Sequence, residues 1–311
     1  MDVSDQIWFD GSFVDQRQAT VPLLSHSLHY GSTIFEGMRF YDTINGPAVF
    51  RLKEHIERFI HSANSIQFPL IYTEEQLFEA VLATIRQNKI PNGYIRVVGY
   101  FGAGDMELHP TKATRHVAIM LWPWDPRFGT QSISLTIPSL WRTPPQCTVI
   151  SAKISGHYAN SILARQEARR KGFYESLLLD YEGNIAEASG ANFFAIKKGV
   201  LYTPPEANIF AGITRDSILQ IAKHLHISTR ITTVNPSHLS QFDEAFLSGT
   251  AVEVVPIINV DQARFQYSYG PLTRKLKDFY AEVTHGKHPE FSHWLQPAAP
   301  THEMVHPHQK F

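Results

Sequence analysis

Apolar and polar positions along the chain follow two periods that alternate in its first third. Gln6–Phe9 and Ser12–Val14 read as short strands around Asp10-Gly11, a two-residue hairpin signal. From Leu52, the apolar residues Ile56, Phe59, Ile60 and Ala63 recur at helical spacing. Thr73 followed by Gln76 forms a capping-box pattern, and Leu77, Phe78, Val81, Leu82 and Ile85 carry a second helix. Tyr94–Phe101 predicts a strand with Tyr94, Arg96, Val98 and Tyr100 on one face, and Arg115–Trp122 predicts another. Two prolines and a glycine in 123–129 then break any regular element. This places a small domain at residues 1–123, a linker at 124–130 and a larger domain at 131–285.

In the second half, strands are expected at about 132–138 and 148–152, followed by a helix from Tyr158 to Lys171 stopped by Gly172. A ladder of Glu175–Asp180, Ile185–Ile196 and Val200–Thr203 follows, with turns at Glu182-Gly183-Asn184 and Lys198-Gly199. A helix after Gly212 carries Ile218, Ile221, Ala222 and Leu225, strands lie near 243–248 and 253–260, and a helix runs from Pro271 to Thr284. Short strands and helices without a regular βαβ period predict an α+β fold. The last 27 residues hold six histidines (285, 288, 293, 302, 306 and 308), and 286–311 read as a loosely held tail.

Composition narrows the class. Hydrophobic residues make up 43% of the 311, enough for a sizeable core, which excludes wholesale disorder. Lys and Arg number 28 against 29 Asp and Glu, so there is no basic field to collect phosphate backbones and no nucleic-acid partner is expected. The single Cys147 can form neither an internal disulfide nor a thiolate cage, which points to a reduced, cytoplasmic setting. No apolar run approaches the roughly 20 residues of a membrane span, and the acidic start Met1-Asp2-Val3-Ser4-Asp5 lacks the order of a secretory signal.

Three groups could carry chemistry. Lys153, in Ser151-Ala152-Lys153-Ile154-Ser155-Gly156-His157-Tyr158, is expected where an apolar strand leaves its sheet, and partial desolvation there would free a nucleophilic amine. Phe210-Ala211-Gly212-Ile213-Thr214 opens a helix, with Thr214 as its N-cap, and Ser248-Gly249-Thr250-Ala251 forms a tight hydroxyl-bearing turn; both resemble anion cradles. Taken singly, each also reads as ordinary capping and turn chemistry. Glu187 interrupts an otherwise apolar or small strand, so it either needs a partner, such as a protonated ring nitrogen, or faces water at a hairpin edge. Cys147, ahead of an apolar run, reads as a small buried hydrophobe.

Together these segments resemble the branched-chain amino-acid aminotransferases, which are fold-type IV enzymes using pyridoxal 5′-phosphate (PLP). The resemblance is carried by Lys153 with Gly156 and Tyr158, Asn184-Ile185 before Glu187, Asn192-Phe193-Phe194, Tyr202-Thr203-Pro204-Pro205, Gly212-Ile213-Thr214-Arg215-Asp216 and Ser248-Gly249-Thr250-Ala251. Ser25–Gly31, Phe35-Glu36-Gly37-Met38-Arg39, Phe50-Arg51 with Glu54-His55 and Arg58, Tyr94-Ile95-Arg96 and Trp122-Pro123-Trp124 extend it over about residues 6–285. It implies a two-domain fold of the D-amino-acid aminotransferase type: a smaller N-terminal α/β domain, and a larger C-terminal domain with a mixed, barrel-like sheet.

The resemblance also implies roles. Lys153 would join PLP as a Schiff base and shuttle the substrate's α-proton, while Glu187 would pair with the pyridine nitrogen and Tyr158 with the ring's phenolic oxygen. Arg58, Gly212, Ile213, Thr214, Ser248, Gly249 and Thr250 would hold the phosphate, with Phe210 against the ring. Tyr30, Phe35, Gly37, Arg39, Tyr94, Arg96, Trp124, Thr250 and Ala251 match substrate-pocket positions. Leu108 matches a loop that enters the partner subunit's site, implying at least a dimer of this chain. The expected reaction exchanges amino groups between L-leucine, L-isoleucine or L-valine and 2-oxoglutarate by a ping-pong route.

Two positions depart from the pattern. Glu107 replaces a glycine before Leu108, and Arg127 stands where a pocket tyrosine is usual, to contact a carboxylate, to pair with Glu107 across a dimer, or simply to face solvent. The rivals are a D-amino-acid or amine aminotransferase, an aminodeoxychorismate lyase, and a metal-binding protein gripping a cation through His306-Pro307-His308. No Arg-x-His pair stands where the D-amino-acid enzymes have one.

Overall fold

The Asp10-Gly11 turn joins β1 (Gln6–Phe9) to β2 (Ser12–Asp15) in a computed structural model that describes residues 3–124 and 131–298. After the short α1 (His26–Tyr30), β3 (Ile34–Thr43) and β4 (Gly46–Phe50) form a hairpin that the polar–apolar pattern does not reveal. The first eight residues of β3 are all buried, so its sequence shows no alternation to read. Next come α2 (Leu52–Ser65) and α3 (Glu74–Asn88), the latter with its Thr73/Gln76 capping box in place, and then the antiparallel pair β5 (Gly93–Phe101) and β6 (Arg115–Trp122).

These strands form one sheet with α2 and α3 packed on a single face. Ile56, Phe59, Leu77, Val81 and Ile85 from the helices interlock with Ile34, Met38, Ile95 and Val97 from β3 and β5. Because strand side chains alternate, Phe35, Gly37 and Arg39 on β3 and Tyr94 and Arg96 on β5 lie on the opposite face. Registers of Gly37 with Arg96 and Arg39 with Tyr94 put them side by side.

The second sheet comprises β7 (Ile133–Thr136), β8 (Glu175–Leu179), β9 (Ile185–Ala188), β10 (Asn192–Lys197), β11 (Val200–Thr203), β12 (Thr229–Ile231), β13 (Glu244–Gly249), β14 (Glu253–Val260) and β15 (Ala263–Arg264). Six of them close into a barrel in the order β10-β13-β14-β7-β8-β9, parallel at β14–β7 and β7–β8 and antiparallel elsewhere. Alternation assigns the two faces: Phe193, Ala195, Leu247, Val255 and Leu135 gather in one core. Phe194, Ile196, Phe246 and Val254 pack outward with α5 (Ile213–His224) and α6 (Pro271–Thr284). The helix α4 (Tyr158–Arg170) lies against β8, and Gly172 follows it as expected.

Five expectations are corrected. No strand forms at 148–152; the segment is turn-like, with Val149 exposed, and Lys153 leaves it to bond with β3, its carbonyl accepting from the Phe35 N–H at 3.1 Å. Ile185–Ile196 is two strands, folded back at 189–191 so that Glu187 pairs with Asn192. Gly212, not Thr214, is the N-cap of α5, leaving Thr214 buried in the first turn. Cys147 is exposed, because the run that follows it is not a core strand. Part of the supposed tail is packed structure: Phe291 and Trp294 are buried, and β16 (Leu295–Pro297) pairs with β4, adding a strand to the first sheet. Arg127 and His302, His306 and His308 lie outside the described residues. No helix among the described residues is long and apolar enough to cross a membrane.

Candidate active site

Lys153 lies where the two sheets meet. Its backbone N–H donates to Ser62 Oγ on α2 (2.9 Å), while its side chain crosses a cleft toward α4, where Nζ donates to the Tyr158 hydroxyl at 2.8 Å. The amine also lies 4.5 Å from the Phe210 ring centroid and 5.1 Å from that of Phe35. The cleft is open to solvent, and its empty space together with the mouth amounts to about 880 Å³.

At one end stands Glu187. The fold-back at 189–191 turns its carboxylate inward, where it is 9% exposed rather than facing water. Oε2 accepts from Asn192 Nδ2 (3.1 Å) and the Phe210 N–H (3.1 Å), and Oε1 pairs with Arg142 Nε. Burial pushes the Glu187 pKa up, opposed by the charge and hydrogen bond of Arg142, the Phe210 N–H and the charge of Lys153.

The other end is built for an anion. No side chain caps α5 at Gly212, so the first-turn N–H groups of Ile213 and Thr214 border the cleft with the helix's positive end. A Cβ on Gly212 would meet Asn192 Oδ1 at 2.1 Å, so glycine is what lets Asn192 seat beside Glu187. Across from α5, the Ser248-Gly249-Thr250 turn ends β13, with the Ser248 hydroxyl buried and without a hydrogen-bond partner. Arg58 on α2 supplies the cation. It donates to Glu36 from Nε (2.6 Å) and Nη2 (2.9 Å) and to the Ala211 carbonyl from Nη1 (3.2 Å), with its guanidinium over Phe210 at 4.6 Å.

Glu36 sits on the helix-facing side of β3 and is fully buried. Burial alone would raise its pKa, but the Arg58 charge and hydrogen bonds from His55 and Arg58 hold the carboxyl far below the ordinary range. Burial lowers the pKa of His55, so its neutral ring donates from Nδ1 to Glu36 (2.8 Å).

A wall from the first sheet adjoins this cleft. The Phe35 ring packs 5.1 Å from Tyr158, Arg96 lies over Phe35 at 4.6 Å, and Arg96 Nη2 donates to the Tyr94 hydroxyl at 3.3 Å. Tyr94 stacks on Trp122 and lies 5.6 Å from Trp124, whose indole N–H donates to the Ala251 carbonyl (3.2 Å). Gly37 leaves room for the Tyr94 hydroxyl, since a Cβ there would lie 1.7 Å from it. Arg39 is placed differently from the sequence expectation. It is 3% exposed and committed to Glu253 (3.3 Å) and the Trp124 carbonyl (3.0 Å), so it braces the wall and its guanidinium is taken up by these partners. The Tyr30 hydroxyl donates to the Met106 carbonyl (3.3 Å), and Leu108 is 84% exposed.

Residues 33–260 match the family model described as amino-transferase class IV. The chain belongs to that family. Branched-chain-amino-acid aminotransferases of Salmonella typhimurium and Pseudomonas aeruginosa are 37% and 38% identical to it; the alignments cover 94% and 93% of this chain and 97% and 95% of theirs. A branched-chain amino acid aminotransferase from T.th., solved with pyridoxamine 5′-phosphate, superposes with a TM-score of 0.92 at 37% identity, over 95% of this chain and 99% of that one. The same enzyme complexed with N-(5′-phosphopyridoxyl)-L-glutamate gives the same values.

In this class IV aminotransferase several site residues had no role assigned from sequence. Glu36, His55 and Asn192 lay within the matching motifs, but only the fold shows what they touch. Arg51 at the N-cap of α2 donates to Asp216 (2.8 Å) and Ser217 (3.1 Å), tying the helix that carries Arg58 to the one whose N-terminus faces it. Arg142 lies in an irregular segment with no local pattern at all. Its backbone N–H donates to the Leu179 carbonyl (2.8 Å), which seats the segment against β8.

Proposed function

We propose that this chain transfers amino groups between L-leucine, L-isoleucine or L-valine and 2-oxoglutarate, using PLP held in the cleft between the two sheets. The observation that carries this reading is the placement of a lysine amine, an anion cradle and a buried carboxylate around one cavity. The residues fit the cofactor: the unpartnered Ser248 hydroxyl, the uncapped α5 terminus and Arg58 suit a phosphate, and Glu187 suits a ring nitrogen. Bound there, PLP supplies a ring that accepts the electron pair left when a substrate loses its α-proton.

The chain's own groups do the rest. Lys153 Nζ would hold the cofactor at rest, and as a free amine it would take the substrate's α-proton and return it. Tyr158, 2.8 Å from that amine, orients it and would bond the phenolic oxygen of the ring. Phe210 would pack against the ring, and Arg58, Ile213, Thr214 and Thr250 would hold the phosphate. Phe35, Tyr94 and Trp124 form an apolar wall for the branched side chain, while Arg96, whose Nε is buried without a partner, meets the carboxylate of 2-oxoglutarate or glutamate.

We also place a second copy of the chain against the Leu108 loop. Leu23, Leu24 and Leu28 near α1 are exposed with Leu108, as a shared apolar face requires. The exposed thiol of Cys147 suits a reduced, cytoplasmic setting. A panel of L- and D-amino acids with 2-oxoglutarate tests the substrate reading. Activity confined to L-branched-chain substrates supports it, and activity on D-enantiomers or none on leucine overturns it.

A further inference from the structure

Glu187 is held by donors of two kinds. Asn192 Nδ2 and the Phe210 N–H are neutral, whereas Arg142 brings a full charge, with Nε on Oε1 and Nη1 on the Thr143 carbonyl (3.3 Å). The arginine is fixed by its own surroundings: its backbone N–H donates to Leu179, and the preceding carbonyl of Trp141 accepts from Asn160 on α4 (3.0 Å). Its side chain is 13% exposed and that of Glu187 is 11% exposed, so water screens the pair little.

Resting on the cofactor reading above, we propose that Arg142 is a positioning residue that keeps Glu187 ionised, so that the proton shared between this carboxylate and the cofactor's ring nitrogen resides on nitrogen. A carboxylate offers about four acceptor positions, and three donors leave one for the ring. Burial favours the protonated carboxyl, and neutral donors offset that less than a charge-assisted bond does. A guanidinium cannot surrender its proton, so in contact with Glu187 it favours the charged form. The ring nitrogen lies one group further away, and Coulomb energy falls with distance. Arg142 therefore lowers the proton affinity of Glu187 more than that of the nitrogen. The other titratable groups around the cavity do not replace it. Lys153 and Tyr158 bond to each other, Arg58 is taken by Glu36, and His157 bonds to Thr148 Oγ1 (2.5 Å) with its pKa lowered by burial and by the Arg142 charge.

The test loads the enzyme with PLP labelled with ¹⁵N in the ring and reads the nitrogen signal by NMR. The unsubstituted enzyme shows the protonated-pyridinium position. Arg142→Gln moves the signal toward unprotonated pyridine, Arg142→Lys restores it at least in part, and in a Glu187→Gln background Arg142→Gln produces no further movement. A PLP-loaded Arg142→Gln enzyme with an unmoved signal overturns the inference, as does an equal movement in the Glu187→Gln background. If Arg142→Gln does not fold, Arg142→Met serves in its place with the same two outcomes. An unsubstituted protein that takes up no PLP defeats the cofactor reading, and an unmoved signal in a loaded variant defeats only the role of Arg142.

Discussion

Glu36 grips Arg58 with both carboxylate oxygens, at 2.6 and 2.9 Å, from a position with no solvent exposure. His55 donates to the same carboxylate, so two side chains, Glu36 on β3 and His55 on α2, set the direction of the Arg58 guanidinium. The fork has little freedom to swing away from the α5 terminus. Glu36→Gln leaves Arg58 partly unpaired in a buried site, a change that costs on the order of 3–5 kcal/mol. A lower melting temperature and at least tenfold weaker PLP retention are expected, measured by thermal melts and by dialysis against PLP. Unchanged retention in a folded variant contradicts the role given to Glu36.

The same cluster predicts how stability depends on pH. Glu36 has a depressed pKa when folded, so its stabilisation is present above the ordinary glutamate value of about 4.3 and fades as pH falls below it. His55 is held neutral, so its contribution is present above the ordinary histidine value of about 6.5 and is lost as pH falls through that region. Glu187 has the opposite sign in the PLP-free protein. Its raised pKa contributes below about 4.3 and is lost as pH rises through the folded value. Thermal melts of the PLP-free protein should therefore decline from about pH 7 to pH 5, and His55→Gln should flatten that decline. An equal slope in the variant would remove His55 as its source.

Gly37 offers a probe of the substrate wall alone. A Cβ there would displace the Tyr94 hydroxyl and with it the contact to Arg96 Nη2. Gly37→Ala is expected to raise KM for glutamate and leucine by about tenfold, corresponding to about 1.4 kcal/mol, with PLP retention unchanged. Steady-state kinetics beside a dialysis measurement separate the two effects.

Trp294 links the last described strand to the cofactor site. Its carbonyl accepts from the Arg51 N–H at 2.6 Å, and its ring lies under the Arg51 guanidinium at 4.8 Å, the same guanidinium that holds Asp216. Trp294→Ala should cost about 3–5 kcal/mol, as large-to-small core changes do. It should also weaken PLP retention, because Arg51 joins α2 to α5. A loss of stability with normal retention would confine Trp294 to packing.

What could be read from sequence follows from how local each cause is. Thr73 and Gln76 sit three residues apart and cap their helix by themselves, and Asp10-Gly11 specifies its own turn. The β3–β4 hairpin escaped because a strand buried on both sides has no alternation. Lys153, Tyr158, Glu187 and Arg58 stood out through matching motifs, and the fold brings all four to one cleft. Arg142 and Glu187 are 45 positions apart, and Glu36 and Arg58 are 22 apart. Such pairings exist only once the barrel and the β3–α2 contact have formed. The C-terminal segment misled because histidines and prolines masked Phe291 and Trp294, whose burial depends on β4.

Amino-group transfer from a branched-chain L-amino acid to PLP bound at Lys153 is the step that the rest of the site would serve. Its most direct test adds L-leucine to the PLP-loaded protein, with no 2-oxo acid present, and follows the visible absorbance. The absorbance should shift on adding leucine and return on adding 2-oxoglutarate, and Lys153→Ala should abolish the cycle. Absorbance indifferent to leucine, isoleucine, valine and glutamate, or an undiminished cycle in Lys153→Ala, would rule out transamination through Lys153.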